Sequence, residues 1–148
     1  MKYKEEIGDL FDVPKDYYFA HCISADFVLG AGIAVQFDKR FNMRQELKEH
    51  YPDYIKKYDD PKFLGGCILI KNVFNLVTKK YCYNKPTLDS MNKAIQALRK
   101  GCEKYKVKKL AMPLIGCGLD QLRWIDVAHI INFVFYDTDI EILVRKLE

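Results

Sequence analysis

Apolar positions recur along this chain either as short continuous runs or at three- and four-residue spacings, and the alternation of the two sets out its elements. Lys2 to Ile7 predicts a first strand ending at Gly8-Asp9-Leu10. Pro14-Lys15-Asp16 predicts a turn. Tyr17 to Ile23 is almost wholly apolar or aromatic, as expected of a strand buried on both faces. Ile33, Phe37 and Phe41 then recur every four residues with Ala34 beside them, which gives a helix one apolar face. Asn42 to Asp60 is polar and rich in tyrosine. Gln45 to His50 can continue as helix until Pro52 interrupts it, and the stretch reads as a surface excursion.

Lys62 to Gly66 predicts a turn. Cys67 to Ile70 and Val73 to Thr78 follow as two strands joined at Lys71-Asn72, a hairpin. In the second strand Phe74 and Leu76 face one way, and Val73 and Val77 the other. Both faces are apolar, so the strand is expected to be central, with Lys79 continuing the Val77 face at its C-terminal end. Pro86-Thr87 opens the clearest helix, where Leu88, Met91, Ile95, Leu98, Cys102 and Tyr105 alternate three and four apart. Lys108 to Met112 is the next strand. Trp124, Val127, Ile131 and Val134 mark a last helix ending near Tyr136, and Asp139 to Leu147 a final strand.

Strands alternating with helices make the class α/β, a mixed sheet between helical layers. Ligands of such sheets bind at the carboxyl ends of the strands. Gly8-Asp9, the loop from Ser24, Lys79 and the loop at Gly116 all fall at strand ends, so four separate segments converge on one edge.

The length of 148 residues suits one domain, 1–148, with a sizeable core. A net charge of +4 with dispersed Lys and Arg fits a small anionic ligand and lacks the dense basic stripe of a dedicated DNA binder. The charged start and the lack of a long apolar run predict neither a signal peptide nor a membrane association, hence a cytoplasmic or other intracellular protein. Five cysteines, an odd number without a Cys-x-x-Cys pair, predict reduced and mostly buried thiols. His21, His50 and His129 lie far apart and form no zinc pattern with them.

Two glycine loops carry the candidate chemistry. Ser24 to Gly32 (Ser-Ala-Asp-Phe-Val-Leu-Gly-Ala-Gly) and Met112 to Asp120 (Met-Pro-Leu-Ile-Gly-Cys-Gly-Leu-Asp) each follow a strand and precede a helical pattern. Glycine lets backbone N–H groups approach a ligand, and strand–glycine loop–helix units are a usual way to hold phosphate. A single Gly-x-Gly can equally be a tight connection. Two of them with a lysine between make a site.

These pieces resemble a macrodomain, an ADP-ribose-binding module, and within that family the branch of terminal ADP-ribose protein glycohydrolases that also deacetylate O-acetyl-ADP-ribose. The matching segments are Gly8-Asp9-Leu10-Phe11, Ala20-His21-Cys22-Ile23-Ser24, Gly30-Ala31-Gly32-Ile33-Ala34-Val35, Thr78-Lys79-Lys80 with Lys85-Pro86-Thr87, and Met112-Pro113 through Gly116-Cys117-Gly118-Leu119-Asp120 to Trp124. They span essentially the whole chain. Common catalytic macrodomains carry Asn-Ala-Ala-Asn where this chain reads His21-Cys22-Ile23-Ser24, so the asparagine-dependent mechanism is not expected. The branch resembled uses a lysine and an aspartate, matched here by Lys79 and Asp120.

The resemblance implies a three-layer α/β/α fold with a central mixed sheet, and it implies roles. Asp9, with Leu10 beside it, would accept a hydrogen bond from the adenine amino group, or Asp9 simply caps a turn. The backbones of Gly30, Ala31, Gly32 and Ile33, and of Ile115, Gly116, Cys117, Gly118 and Leu119, would cradle the diphosphate and distal ribose. Ser24 would contact that ribose or bond its own backbone. The Lys79 amine would attack the anomeric carbon of the distal ribose and Asp120 would act as general acid/base; otherwise Lys79 is a strand-end lysine reaching solvent or pairing with Asp120. A neighbouring cation such as Lys80 would favour the neutral amine. Arg145 stands where an aromatic residue near the adenine is expected, and would stack on the base or point to water. Tyr81, Tyr83 and Trp124 read as core or loop packing. The implied activity is metal- and cofactor-independent removal of mono-ADP-ribose from glutamate or aspartate side chains and of acetate from O-acetyl-ADP-ribose. The implied partners are ADP-ribose, its derivatives and ADP-ribosylated proteins, for a monomer. The alternatives are hydrolysis of ADP-ribosylated nucleic acid or of ADP-ribose 1″-phosphate, and binding without turnover.

Overall fold

The computed structural model describes residues 1–63 and 66–147. Its sheet is built from β1 (Lys2–Ile7), β2 (Tyr18–Ser24), β3 (Gly66–Ile70), β4 (Val73–Lys79), β5 (Lys109–Met112) and β6 (Glu141–Lys146), in the spatial order β1-β6-β5-β2-β4-β3. Every neighbouring pair is parallel except the β3–β4 hairpin, which turns at Lys71-Asn72. The parallel strands therefore all deliver their C-terminal ends to one edge.

Helices cover both faces, as a largely parallel sheet requires. On one side lie α1 (Ile33–Phe41), α2 (Met43–His50) and α3 (Tyr54–Tyr58); on the other, α4 (Leu88–Lys104) and α5 (Trp124–Phe135). The pleat of β4 divides as its sequence requires. Phe74 and Leu76 join the core under α4 and α5, while Val73 and Val77 join the core under α1 to α3. Side chains such as Phe74, Leu76 and Leu98 each stabilise by about 1.5–3 kcal/mol through burial. α4 begins where Thr87 and Ser90 close a reciprocal capping box. Its terminal stripe positions, Leu88 and Tyr105, are exposed rather than core.

The stretch expected to be a surface excursion lies at the surface but also turns an apolar face into the core. Met43 and Leu47 are fully buried and Tyr54 nearly so. Asn42 adopts a left-handed conformation (φ 53°) that ends α1 and redirects the chain into α2, so the apolar positions of the two helices fall out of a single helical phase. That break hides the second buried face from a periodicity reading. Gly66, expected in a turn, opens β3; Leu64 and Gly65 of that turn lie outside the described residues. The cysteines are free, but they are less buried than expected: Cys102 is buried, Cys82 is exposed, and Cys22, Cys67 and Cys117 lie between.

Candidate functional site

The site forms where β2, β4 and β5 end. Opposite β2, the register of β4 runs Ile23 to Val77 and then Ser24 to Lys79, so one extra residue, Thr78, enters β4 at its mouth. Such bulges re-aim the side chains that follow them. Lys79 leaves the sheet here, and its Nζ donates to Asp120 Oδ1 at 2.8 Å. Both side chains are mostly enclosed, 15% and 17% exposed. Asp120 comes from a 3-10 turn, Gly118–Asp120, after β5.

Each glycine loop is shaped by a different device. In the first, Phe27 and Leu29 hold left-handed conformations (φ 55° and 48°) that cost of order 1–3 kcal/mol each in a non-glycine residue. Both side chains are buried, and the Phe27 ring lies 5.6 Å from that of Tyr54. Tyr54 of α3 thus packs against this loop. The loop delivers Gly32, at φ 62°, to the start of α1. α1 has no side-chain cap and no acidic residue in its first turn, so its leading N–H groups and the positive end of its dipole are left for an anion. In the second loop Gly116 and Gly118 supply φ of 75° and 79°. A Cβ at Gly116 would strike Met91, whereas one at Gly118 would meet nothing, so Gly118 borders open space.

Ser24 does not face that space. Its hydroxyl donates to Asp26 Oδ1 at 2.5 Å, and Asp26 Oδ2 accepts the Cys82 N–H at 3.0 Å. Asp26, two residues beyond the matched motif, therefore ties the first loop to the segment following Lys79. Lys85 in that segment donates to the Leu119 carbonyl, beside Asp120. Neither link was legible, because both join residues far apart in the chain. Lys80, expected as a like charge beside Lys79, pairs with Asp59 at 2.7 Å, and that bond raises its pKa.

The His21-Cys22 segment furnishes no amide for chemistry. His21 is sealed in the sheet, stacked 4.0 Å from Phe37, with Nε2 2.6 Å from Asn75 Oδ1. The Cys22 thiol lies within the fields of Asp120 and Lys79. Burial first, and the Asp120 carboxylate second, push its pKa up and hold it protonated.

At the other end of the sheet edge Asp9 is exposed, and its Oδ1 accepts the Phe11 N–H at 2.9 Å, so it does cap a turn. Leu10 is buried core. The Arg145 guanidinium is engaged by the protein through two of its three nitrogens. It bonds Glu6 Oε1 at 2.6 Å and the carbonyls of Asp9 and Asp12 at 2.9 and 3.1 Å, bracing the Asp9 turn. Trp124 Nε1 donates to Glu5. Two surface concavities flank β3, but neither includes Lys79 or Asp120. The converging strand ends and their chemistry mark the site, rather than its depth.

A six-stranded mixed sheet between helices, with two glycine loops and a helix N-terminus without a side-chain cap at one edge, defines an α/β architecture. The chain belongs to the Macro domain family, whose model matches residues 20–131. Human "ADP-ribose glycohydrolase OARD1" is 42% identical to it over 95% of this chain and 88% of that protein. The Thermus aquaticus "DNA ADP-ribosyl glycohydrolase" is 22% identical over 81% of this chain and 34% of that protein. Among solved structures, the macrodomain of Mycobacterium tuberculosis DarG shares the fold with a TM-score of 0.81 at 20% identity, covering 97% of this chain and 96% of that one.

Proposed function

We propose that this protein is an ADP-ribosyl hydrolase that removes mono-ADP-ribose from glutamate and aspartate side chains and deacetylates O-acetyl-ADP-ribose. The observation that carries the reading is the Lys79–Asp120 contact of 2.8 Å at the mouth between the two glycine loops. In this reading the α1 N-terminus and the Gly116–Leu119 backbone hold the diphosphate and distal ribose, with Asp9 at the adenine. Lys79 sheds a proton to Asp120, which lies within hydrogen-bond reach as a general base must. The neutral amine forms a bond to the anomeric carbon as the bond from that carbon to the ester oxygen breaks, and the acceptor leaves as a carboxylate with the electron pair. Asp120 releases that proton to solvent and then takes one from water as the water oxygen replaces the lysine nitrogen at the same carbon; the amine departs with its electron pair and recovers the proton from Asp120.

Calorimetry with ADP-ribose tests the binding half. Gly118→Glu should abolish binding, because a side chain at φ 79° is strained and its charge opposes the diphosphate. Parallel incubation with glutamate-linked ADP-ribosyl protein, O-acetyl-ADP-ribose and ADP-ribosylated DNA tests the substrate. Intact-mass analysis of Asp120→Ala tests the route, since an adduct of ADP-ribose on that variant but not on Lys79→Ala is expected. A second reading, hydrolysis of ADP-ribosylated nucleic acid through the same pair, draws support from the name of the Thermus relative.

A further inference from the structure

The sheet has two outer strands, and they are guarded differently. β1 carries Lys2, Lys4, Glu5 and Glu6, and such charges keep a sheet edge from pairing with another chain. β3 reads Gly66-Cys67-Ile68-Leu69-Ile70, with no charge, no proline and no bulge against β4. Its hairpin register fixes which backbone groups face outward. Ile70 and Val73 close the two-residue turn, so Ile70, Ile68 and Gly66 aim their N–H and C=O groups at β4. The Ile68 carbonyl agrees, since it also accepts from Asn75 Nδ2 of β4 at 3.1 Å. The N–H and C=O groups of Cys67 and Leu69 therefore point away from the sheet, and both residues are only half-buried. Among the described residues no group bonds them.

These backbone groups floor a groove of about 370 Å³, with Tyr51 and Tyr54 on one bank and Ala97, Lys100 and Lys104 of α4 on the other. A second concavity, of about 470 Å³, continues it past Leu69 to the hairpin, where Glu46 is held by His50 and Lys71. A channel along an unpaired strand has the shape of one more extended strand. The α4 bank sets its charge. Lys100 and Lys104 are exposed and pair with no carboxylate among the described residues, whereas Lys93 is bonded to Asp89. Four residues apart on a helix, the two lysines are separated by roughly 6 Å along its axis, close to the roughly 6.7 Å between alternate side chains of a strand. The same charge argues against a second copy. Two β3 edges pairing antiparallel about a twofold axis would set α4 beside α4, and the lysines of one copy against those of the other. We propose that the β3 edge is a docking site for an extended acidic segment of a partner protein. The segment adds to the sheet as a further strand, bonds Cys67 and Leu69 through its backbone, and sets carboxylates two residues apart on Lys100 and Lys104. Its intervening side chains meet the tyrosine bank. The site lies away from the Lys79–Asp120 pair and requires nothing of the hydrolase reading.

The probe is a fluorescent peptide, Ser-Val-Glu-Val-Glu-Val-Ser, titrated with the full chain and followed by anisotropy. It should bind about tenfold more tightly than Ser-Val-Lys-Val-Lys-Val-Ser or the reordered Ser-Val-Val-Glu-Glu-Val-Ser. Lys100→Glu together with Lys104→Glu should reverse the preference, so that the lysine peptide binds and the glutamate peptide does not. Thermal unfolding like the parent's shows that variant folded. Backbone pairing is tested in the peptide, by N-methylating either its glutamates or its valines. One set should abolish binding and the other leave it, since only one side of an added strand faces β3. Equal effects of the two sets, or an unaltered preference in the charge-reversed chain, overturn the proposal. So does sedimentation showing a dimer that the peptide does not dissociate, which gives the edge to a second copy.

Discussion

β4 carries two polar pairs, one sealed and one open, and their contrast separates fold from chemistry. In its interior Asn75 faces His21 across the β2–β4 register, with 2.6 Å between Oδ1 and Nε2, both residues fully buried. At its mouth Lys79 meets Asp120 at a similar 2.8 Å. The sealed pair is neutral and its geometry is over-determined. Asn75 Nδ2 is engaged with the Ile68 carbonyl, so Oδ1 must accept, and His21 must carry its proton on Nε2. The Nδ1 atom is left with no partner, and burial lowers the His21 pKa to about 4. The open pair is charged, built from a strand and a distant loop, and reachable from solvent. Lys79 has three N–H donors, so a single bond to Asp120 leaves it free to act on a ligand. A polar pair serves packing when every approach to it is closed, whereas one with a side left open can meet a ligand.

Breaking the open pair should have the largest effect. Lys79→Ala should lower turnover of glutamate-linked ADP-ribose at least about a thousandfold, ~4 kcal/mol of barrier. Lys79→Arg should be as inactive, because arginine keeps the charge but cannot deprotonate to attack. Asp120→Ala should cost about 10²–10⁴-fold, the usual worth of a positioned acid/base. Single-turnover rates give these values, while thermal unfolding should show each variant folded. Retained activity in Lys79→Arg would reduce Lys79 to an electrostatic contact.

The sealed pair should answer to pH instead. His21 binds a proton near pH 6.5 when unfolded and near pH 4 when folded, so between those values the unfolded state holds more protons. Its contribution to stability is complete above pH 6.5 and declines as pH falls toward 4, by about 2 kcal/mol at pH 5. Urea titrations between pH 7.5 and 5 should show that slope in the parent and in Lys79→Ala alike. His21→Phe, less stable overall for stranding Asn75, should flatten it. An equal slope in His21→Phe would assign the dependence to other groups.

A third polar contact, at the Asp9 turn, is held by three bonds from the protein and sharpens the contrast. Arg145 bonds Glu6 and the Asp9 and Asp12 carbonyls, so it holds the Asp9 turn in shape. Arg145→Ala should weaken ADP-ribose binding about tenfold by loosening the Asp9 turn, with the rate at saturation unchanged. Lysine should rescue only part, since a point charge cannot reproduce three directed bonds. Calorimetry paired with saturating turnover separates the two quantities. Arg145 also marks how far the sequence is legible. Strand ends, the β4 pleat and the Thr87 cap are local and could be read from periodicity and residue type. The positions of Lys79 and Asp120 could be read through a resemblance. The partners of Arg145, the Asp26–Cys82 tether, the Thr78 bulge and the burial of Met43 and Leu47 depend on residues brought together from afar, and no local pattern encodes them.

The smallest effect should fall at Asp9, where a structural and a binding role share one carboxylate. Its Oδ1 already accepts the Phe11 N–H, while an ionised carboxylate has further lone pairs for an adenine amino group. Asp9→Ala removes both and should weaken ADP-ribose binding about fivefold, near the net worth of one hydrogen bond. Asp9→Asn separates them. The amide oxygen can keep the turn bond to Phe11, but the other Asp9 oxygen becomes an NH₂ group that donates where the adenine needs an acceptor. If the ligand contact matters, Asn should bind ADP-ribose as poorly as Ala while retaining the parent's thermal stability. If Asn instead binds like the parent, the turn accounts for the whole effect, and Asp9 belongs with Arg145 among the residues that hold the edge in shape.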